Sequence, residues 1–224
     1  MIVLAAHGTR DPAGAKVTEA LAERVRRRGA EVAVAYADVR QPDVTTVLDA
    51  IGRPAVVVPA FLAAGYHVRT DIPAQVAASR NRDVVVAEAF GPAPELLDAL
   101  AGRLRAAGYA PGDAVVLAAA GSSAERALGE VAAAAHALGS RLRRPVRVGY
   151  AATARPSVAE AVAAARRPGS RVAVASWLLA PGLFQRRVTE AGAEVVSTPL
   201  GAHPAVAELV LRRYREARRA TRAA

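Results

Sequence analysis

The chain has 224 residues, a net charge of +10 and no cysteine, enough length for one large or two small domains and no means of making disulfides, thiolate zinc sites or iron–sulfur clusters. No apolar run approaches the ~18–20 residues that span a bilayer, and the positive charge is almost wholly arginine, Lys16 being the single lysine. The opening MIVLAAHG lacks a basic start and reaches a histidine at position 7, so it reads as a first strand rather than an export signal, and a cytoplasmic protein is expected.

Short β-branched or alanine-rich runs alternate with helical periodicity along the sequence. Strands are predicted over 2–6, 31–38, 55–61 and 83–89, with helices over 12–28, 42–51, 72–80 and 94–107. The segment GYAPGD at 108–113 has no apolar periodicity and reads as a joint. Beyond it, strands over 114–119, 145–151, 171–178 and 194–198 alternate with helices over 124–142, 156–166, 184–191 and 204–219. This alternation predicts βαβ units and parallel sheets flanked by helices.

The two halves repeat one another. IVLAAHG at 2–8 matches VVLAAAG at 115–121, YADVRQPDV at 36–44 matches YAATARPSV at 150–158, and FLAAGYHVR at 61–69 matches LLAPGLFQR at 178–186. Gly8 pairs with Gly121, Tyr36 with Tyr150 and Gly65 with Gly182, offsets of 113, 114 and 117 residues that loops can absorb. A repeat this long means a duplicated lobe rather than a solenoid. The expected architecture is α/β, with lobes over 1–110 and 111–224, each a parallel sheet of about four strands, and a cleft between them.

The repeat is chemically one-sided. His7 faces Ala120, Asp38 faces Ala152 and His67 faces Phe184. In open α/β sheets ligands bind beyond the carboxyl ends of the strands, and His7, Asp38 and His67 all follow such ends. A strand-end histidine by itself is as readily a turn cap. Two of them converging with an acid, in one copy only, suit a first-row divalent metal or acid–base work near neutral pH.

Other motifs carry plainer readings. Gly8-Thr9 and Gly121-Ser122-Ser123 open helices and suit either an anion cradle or a hydroxyl N-cap. The second lacks the spacing of a nucleophile elbow. Asp71-Ile72-Pro73 reads as an N-cap before a proline-started helix, His136 as helix surface and His203 as a loop or cap residue. A histidine phosphatase would carry an arginine just before its His-Gly, where this chain has Ala6. The arginine runs, such as Arg24, Arg26, Arg27 and Arg28, read as solvated helix faces or as a field for a polyanionic small molecule. With three Phe, five Tyr and one Trp and no recognition motif, nucleic acid is not expected as a partner.

AHGTRDP at 6–12, DVRQP at 38–42 and FLAAGYHVRTDIP at 61–73 resemble the sirohydrochlorin chelatases, class II chelatases in their long, two-lobed form. The likeness runs the length of the chain. It implies an enzyme, a lyase, that inserts iron or cobalt into sirohydrochlorin for siroheme or cobalamin biosynthesis, with its active site in the N-terminal lobe. His7 and His67 correspond to the metal-handling histidines, and Asp38 stands where such enzymes commonly carry a glutamate, one methylene longer. The divalent metal is then a substrate and no organic cofactor is demanded, in agreement with the absence of a full G-x-G-x-x-G or P-loop motif; Fe²⁺ is expected in preference to Co²⁺, because the chain has no histidine-rich tract to mark a dedicated cobalt supply. The tetrapyrrole is a polycarboxylate, and Arg10, Arg69 and Arg40, with Thr9 and Tyr66, are the residues expected to hold it. Two other classes remain open, a non-catalytic divalent-metal carrier and a two-lobed small-molecule binding protein. No membrane partner is expected, and the protein is expected to be a monomer or homodimer.

Overall fold

Ile2–Ala6 forms strand β1 and is buried at every residue, because it lies inside a parallel sheet whose two faces are both covered. The structure, a computed structural model, describes residues 1–223. Strands β2 (Val32–Tyr36) and β3 (Ala55–Pro59) flank β1, and β4 (Val84–Val86) lies beyond β3, giving the parallel order β2-β1-β3-β4. Ile2 registers with Val32 and Val56, so Ala6, Tyr36 and Pro59 end at one rim. Helix α1 (Pro12–Arg26) starts where the Asp11 side chain accepts from Ala13 N at 2.9 Å, and α2 (Val44–Ile51) where Asp43 accepts from Thr46 N at 2.7 Å. On one sheet face Val3, Ala5 and Val57 pack with Val44 and Leu48 of α2 and with Ile72, which opens α3 (Ile72–Ala78).

The second lobe repeats this plan. Strands β5 (Ala114–Ala119), β6 (Val146–Tyr150), β7 (Val172–Trp177) and β8 (Val195–Val196) run parallel in the order β6-β5-β7-β8. Helices α5 (Glu125–Leu142), α6 (Val158–Ala165) and α7 (Leu183–Thr189) accompany them. Its core contains Val116, Ala118, Val174, Val158, Val162 and Val188, which stand for Val3, Ala5, Val57, Val44, Leu48 and Ile72. The fold is therefore two similar α/β lobes, each a four-stranded parallel sheet flanked by helices. Strands β4 and β8 are shorter than 83–89 and 194–198, since an edge strand has a ladder on one side only.

The last helix of each half is exchanged. Helix α4 (Pro94–Ala106) follows the first sheet in sequence but packs on β7 and α5. Helix α8 (Pro204–Ala223) follows the second sheet but packs on α1, β3 and β4. The compact units are thus Met1–Gly91 with the chain from Ala202 onward, and Pro92–Gly201. Burial of Leu96, Leu97, Leu100 and Leu104 fixes α4 in the second unit, on the order of 6–12 kcal/mol at ~1.5–3 kcal/mol per side chain. Arg141 Nε also donates to Asp98 at 2.6 Å. In the first unit α8 is tied down by Arg213, which donates to Glu88 and to the Phe90 carbonyl, each at 3.3 Å, and by the Arg28–Glu208 ion pair. The GYAPGD segment is a braced turn inside the second unit, where Ala110 N donates to Asp113 Oδ2 at 2.8 Å. Among the described residues no helix is long and apolar enough to cross a membrane.

Candidate metal centre

Because β1, β2 and β3 are parallel, the chain leaves all three at the same rim of the sheet. His7 follows β1 directly. Ala37 N donates to Ala6 O at 2.8 Å and Asp38 N to His7 O at 3.1 Å, so the ladder continues two residues past the strands and sets His7 beside Asp38. Gly8 makes this approach possible. Its φ is +91°, and a Cβ there would lie 2.2 Å from the Asp38 carbonyl oxygen. Asp38 Oδ1 accepts from Val39 N at 2.7 Å, which leaves its other carboxylate oxygen for the rim.

His67 reaches the rim by another route. After β3 the chain passes Phe61 and enters a π-helical turn, His67–Asp71, that runs into α3. One ligand-capable atom each from His7, Asp38 and His67 lies within 4.8 Å of the others. Ligands at ~2.0–2.2 Å from an ion stand about 3.3–3.6 Å apart in a tetrahedral site, so small rotations of these side chains would close them on a metal. The two imidazoles meet edge to face, with ring centroids 4.4 Å apart, and the Phe61 ring stands 6.2 Å from each. His7 Nδ1 is 2.9 Å from the Gly8 carbonyl oxygen, and His67 Nδ1 is 2.5 Å from Asp71 Oδ2. A carbonyl or an ionised carboxylate can only accept, so each neutral ring donates through Nδ1 and keeps its lone pair on Nε2.

Asp71 departs from the sequence reading. It does not cap a helix. Its backbone is already helical, its side chain makes no capping bond, and its carboxylate lies against His67 instead. The cause is local: Pro73 has no N–H and would crowd the carbonyl one turn back, and a widened turn is where a helix admits it. His203 does cap, accepting from Ala205 N at 3.2 Å ahead of α8, and His136 is exposed on α5.

The other residues assigned to the site differ in freedom. Arg10 and Arg69 are exposed. The Arg40 guanidinium donates to Thr9 O at 3.1 Å and stands 5.8 Å over the Tyr36 ring, bracing the loop that carries Asp38. Burial pushes the Tyr36 phenol up from its ordinary range, helped by Glu19 and opposed by Arg40. Thr9 Oγ1 accepts from Asp11 N at 3.1 Å. Tyr66 is 62% exposed, its ring 5.9 Å from that of His67. Two neighbours of the histidines escaped the sequence reading, the Phe61 ring and the Asp71 carboxylate. The repeat held a signal for Asp71 alone, whose partner position in the second lobe is not acidic.

The second lobe keeps the frame without the ligands. Ala152 N donates to Ala120 O at 2.9 Å, Gly121 has φ +99°, and a Cβ on it would lie 1.9 Å from Ala152 O. Thr153, like Val39, takes a positive φ.

Fold and site together define a two-lobed α/β protein with a cluster in one lobe whose side chains could hold a metal ion. The chain belongs to the CbiX family, whose model matches residues 1–107 and again 114–217, and so to the class II chelatases, with the two-lobed sirohydrochlorin chelatase fold. Among solved structures it is similar to SirB from Bacillus subtilis with Fe³⁺, at 22% identity and a TM-score of 0.83 over 96% of this chain and 94% of that one. SirB from Bacillus subtilis subspecies spizizenii in complex with cobalt gives 21% identity and a TM-score of 0.78, with the same coverage. CbiX, the terminal enzyme for siroheme biosynthesis in denitrifying bacteria, gives 24% and 0.73 over 96% of this chain and 98% of that one. No curated protein sequence matches significantly.

Proposed function

We propose that this protein inserts a divalent metal, Fe²⁺ in preference to Co²⁺, into sirohydrochlorin, as a cytoplasmic enzyme of siroheme or cobalamin biosynthesis. The observation that carries the reading is the convergence of His7, Asp38 and His67 at one rim of a CbiX-family lobe. The similar SirB structures hold Fe³⁺ and cobalt, in keeping with a first-row substrate metal.

Insertion forms four metal–nitrogen bonds, strips the ion of its other ligands and releases two pyrrole N–H protons. Neutral Nε2 lone pairs on His7 and His67 bind the ion and, once it has left, accept those protons and pass them to water. The Asp38 carboxylate offsets part of the metal charge. All three residues keep some exposure, as a site that must surrender its ion to a flat macrocycle requires. Arg10 and Arg69 take substrate carboxylates, with Arg40 and Thr9 shaping the loop beneath, and Tyr66 offers its ring to the macrocycle. No organic cofactor enters this scheme.

The test is anaerobic incubation with sirohydrochlorin and Fe²⁺ or Co²⁺ at equal free metal, following loss of the free-base spectrum. Enzyme-dependent loss with both ions, faster with Fe²⁺, is expected. Metal binding without any spectral change would leave a metal carrier instead. A Co²⁺ advantage in kcat/KM above about tenfold, ~1.4 kcal/mol in transition-state stabilisation, would overturn the iron preference.

A further inference from the structure

The offset between the two lobes grows from 113 to 117 residues up to Gly65 and then falls by one, so in the segment that carries His67 the first lobe is one residue longer. Val57 pairs with Val174 and Gly65 with Gly182 at an offset of 117, but the next matched core residues, Ile72 and Val188, stand 116 apart. The extra residue therefore falls between Gly65 and Ile72, where the first lobe has its π-helical turn and the second lobe has α7. One added residue rotates the preceding segment by about 100° relative to the helix after it. The insertion sits in the lobe that carries the ligand cluster, and within it the His67 and Asp71 side chains meet.

We infer that Asp71 is a positioning residue of the metal site: its carboxylate accepts from Nδ1–H of His67, fixing the ring and the tautomer that presents Nε2 to His7 and Asp38. A surface pair four residues apart on a helix would show none of this context. His67 and Asp71 are both about three-quarters shielded, their contact is 2.5 Å, and Asp71 has been turned away from the capping role its Asp-Ile-Pro setting favours. His7 makes the equivalent arrangement with a backbone carbonyl, at 2.9 Å. The two imidazoles are thus set by different acceptors, and that of His67 is a side chain that can be replaced. A carboxylate behind a ligating imidazole fixes its orientation and raises its basicity, and its loss typically weakens metal affinity about 10–100-fold.

This inference rests on the metal-site reading above, and its test needs no tetrapyrrole. Co²⁺ is titrated by its visible absorption at one pH, 8.0, into the wild type, D71A, D71N and H67A. The tautomer of His67 is read from long-range ¹⁵N–¹H correlations, assigned by difference with H67A. We expect a single Nδ1–H tautomer in the wild type and a mixture in D71A, with Co²⁺ affinity reduced at least tenfold and unchanged far-UV circular dichroism. D71N, whose amide oxygen still accepts, should recover most of that affinity. An Nε2–H tautomer in the wild type overturns the inference without any variant, and so does D71A binding within threefold of the wild type while H67A is impaired. If H67A itself binds Co²⁺ as the wild type does, the metal-site reading falls instead.

Discussion

A Cβ on Gly8 would stand 2.2 Å from the carbonyl oxygen of Asp38, and one on Gly121 would stand 1.9 Å from that of Ala152. The same close approach is built at both rims, though among the described residues one rim alone carries a cluster that could hold a metal ion. Gly8→Ala must relieve the overlap by moving the loop that bears Asp38, and it also strains a φ of +91°. Each substitution should destabilise its own lobe by about 1–3 kcal/mol, the usual range for enforced backbone strain. G8A should also weaken Co²⁺ binding more than tenfold, whereas G121A should leave it unchanged. Urea unfolding and metal titration of the two variants check this, and equal metal affinity in both would break the link between the glycine and the site.

Removing either histidine should stop turnover without unfolding the chain. His7→Ala and His67→Ala are expected to lower kcat for metal insertion at least ~10²-fold, the lower range for losing an acid–base group. Asp38→Ala should cost less, because it affects the charge at the metal more than the transfer of protons. Steady-state kinetics beside circular dichroism decides, and wild-type turnover in the double histidine variant would sink the assignment.

Where the first unit ends is open to a truncation test. Residues 1–110 retain the apolar face of α4, whose partners are β7 and α5, and lack α8, which covers β3. That fragment should aggregate or remain poorly ordered. Residues 1–91 joined by a flexible linker to 202–224 should fold cooperatively and bind Co²⁺. If 1–110 unfolds as sharply as the joined fragment, the exchanged helices do not define the folding units.

Acid should weaken the second lobe in a defined window. Glu160 is held at about 2, first by its bond from the Ser157 backbone N–H and then by Arg155, and Glu194 at about 2 by Val172 N and Arg166. For Asp113, burial works upward, but Arg171 at 2.9 and 3.0 Å and Ala110 N outweigh it and hold the carboxyl below its ordinary value. Folded values below the unfolded ones mean stability that is fully present above about pH 4.5 and lost as pH falls toward 2. E160Q and E194Q should each flatten the acid limb of a stability–pH curve between pH 5 and 2. Unchanged limbs in both would remove these carboxylates from the account.

Substrate capture should be electrostatic. Raising salt toward ~0.5 M shortens the Debye length well below its ~8 Å physiological value, so KM for the polycarboxylate should rise while kcat changes little. Substituting Arg10 or Arg69 by Gln should mimic added salt. A salt-independent KM would leave the arginine excess without a part in binding.

Much of this was legible in the residues because buried parallel strands and a duplicated frame write themselves plainly. The predicted ranges 2–6 and 114–119 coincide with β1 and β5, which are central and apolar on both faces. The rim carrying His7, Asp38 and His67 could be read from where the strands end. The exchange of α4 and α8 could not, because an apolar stripe shows that a helix needs a sheet but not which one. Nor could the π turn, since Asp-Ile-Pro carries the same letters whether it starts a helix or lies within one.

The exchange of last helices has a consequence for the order of assembly. Residues 92–201 form a unit whose parts are contiguous in the chain, whereas the lobe that carries His7, Asp38 and His67 needs α8 to cover its sheet. During synthesis from the N-terminus, the lobe made first is completed last. Until α8 emerges, the apolar surface of β3 and β4 that it covers waits unshielded, while the other unit can already be folded. His7, Asp38 and His67 all precede residues 92–201 in the chain, yet the lobe that holds them is completed only by α8, which follows that unit.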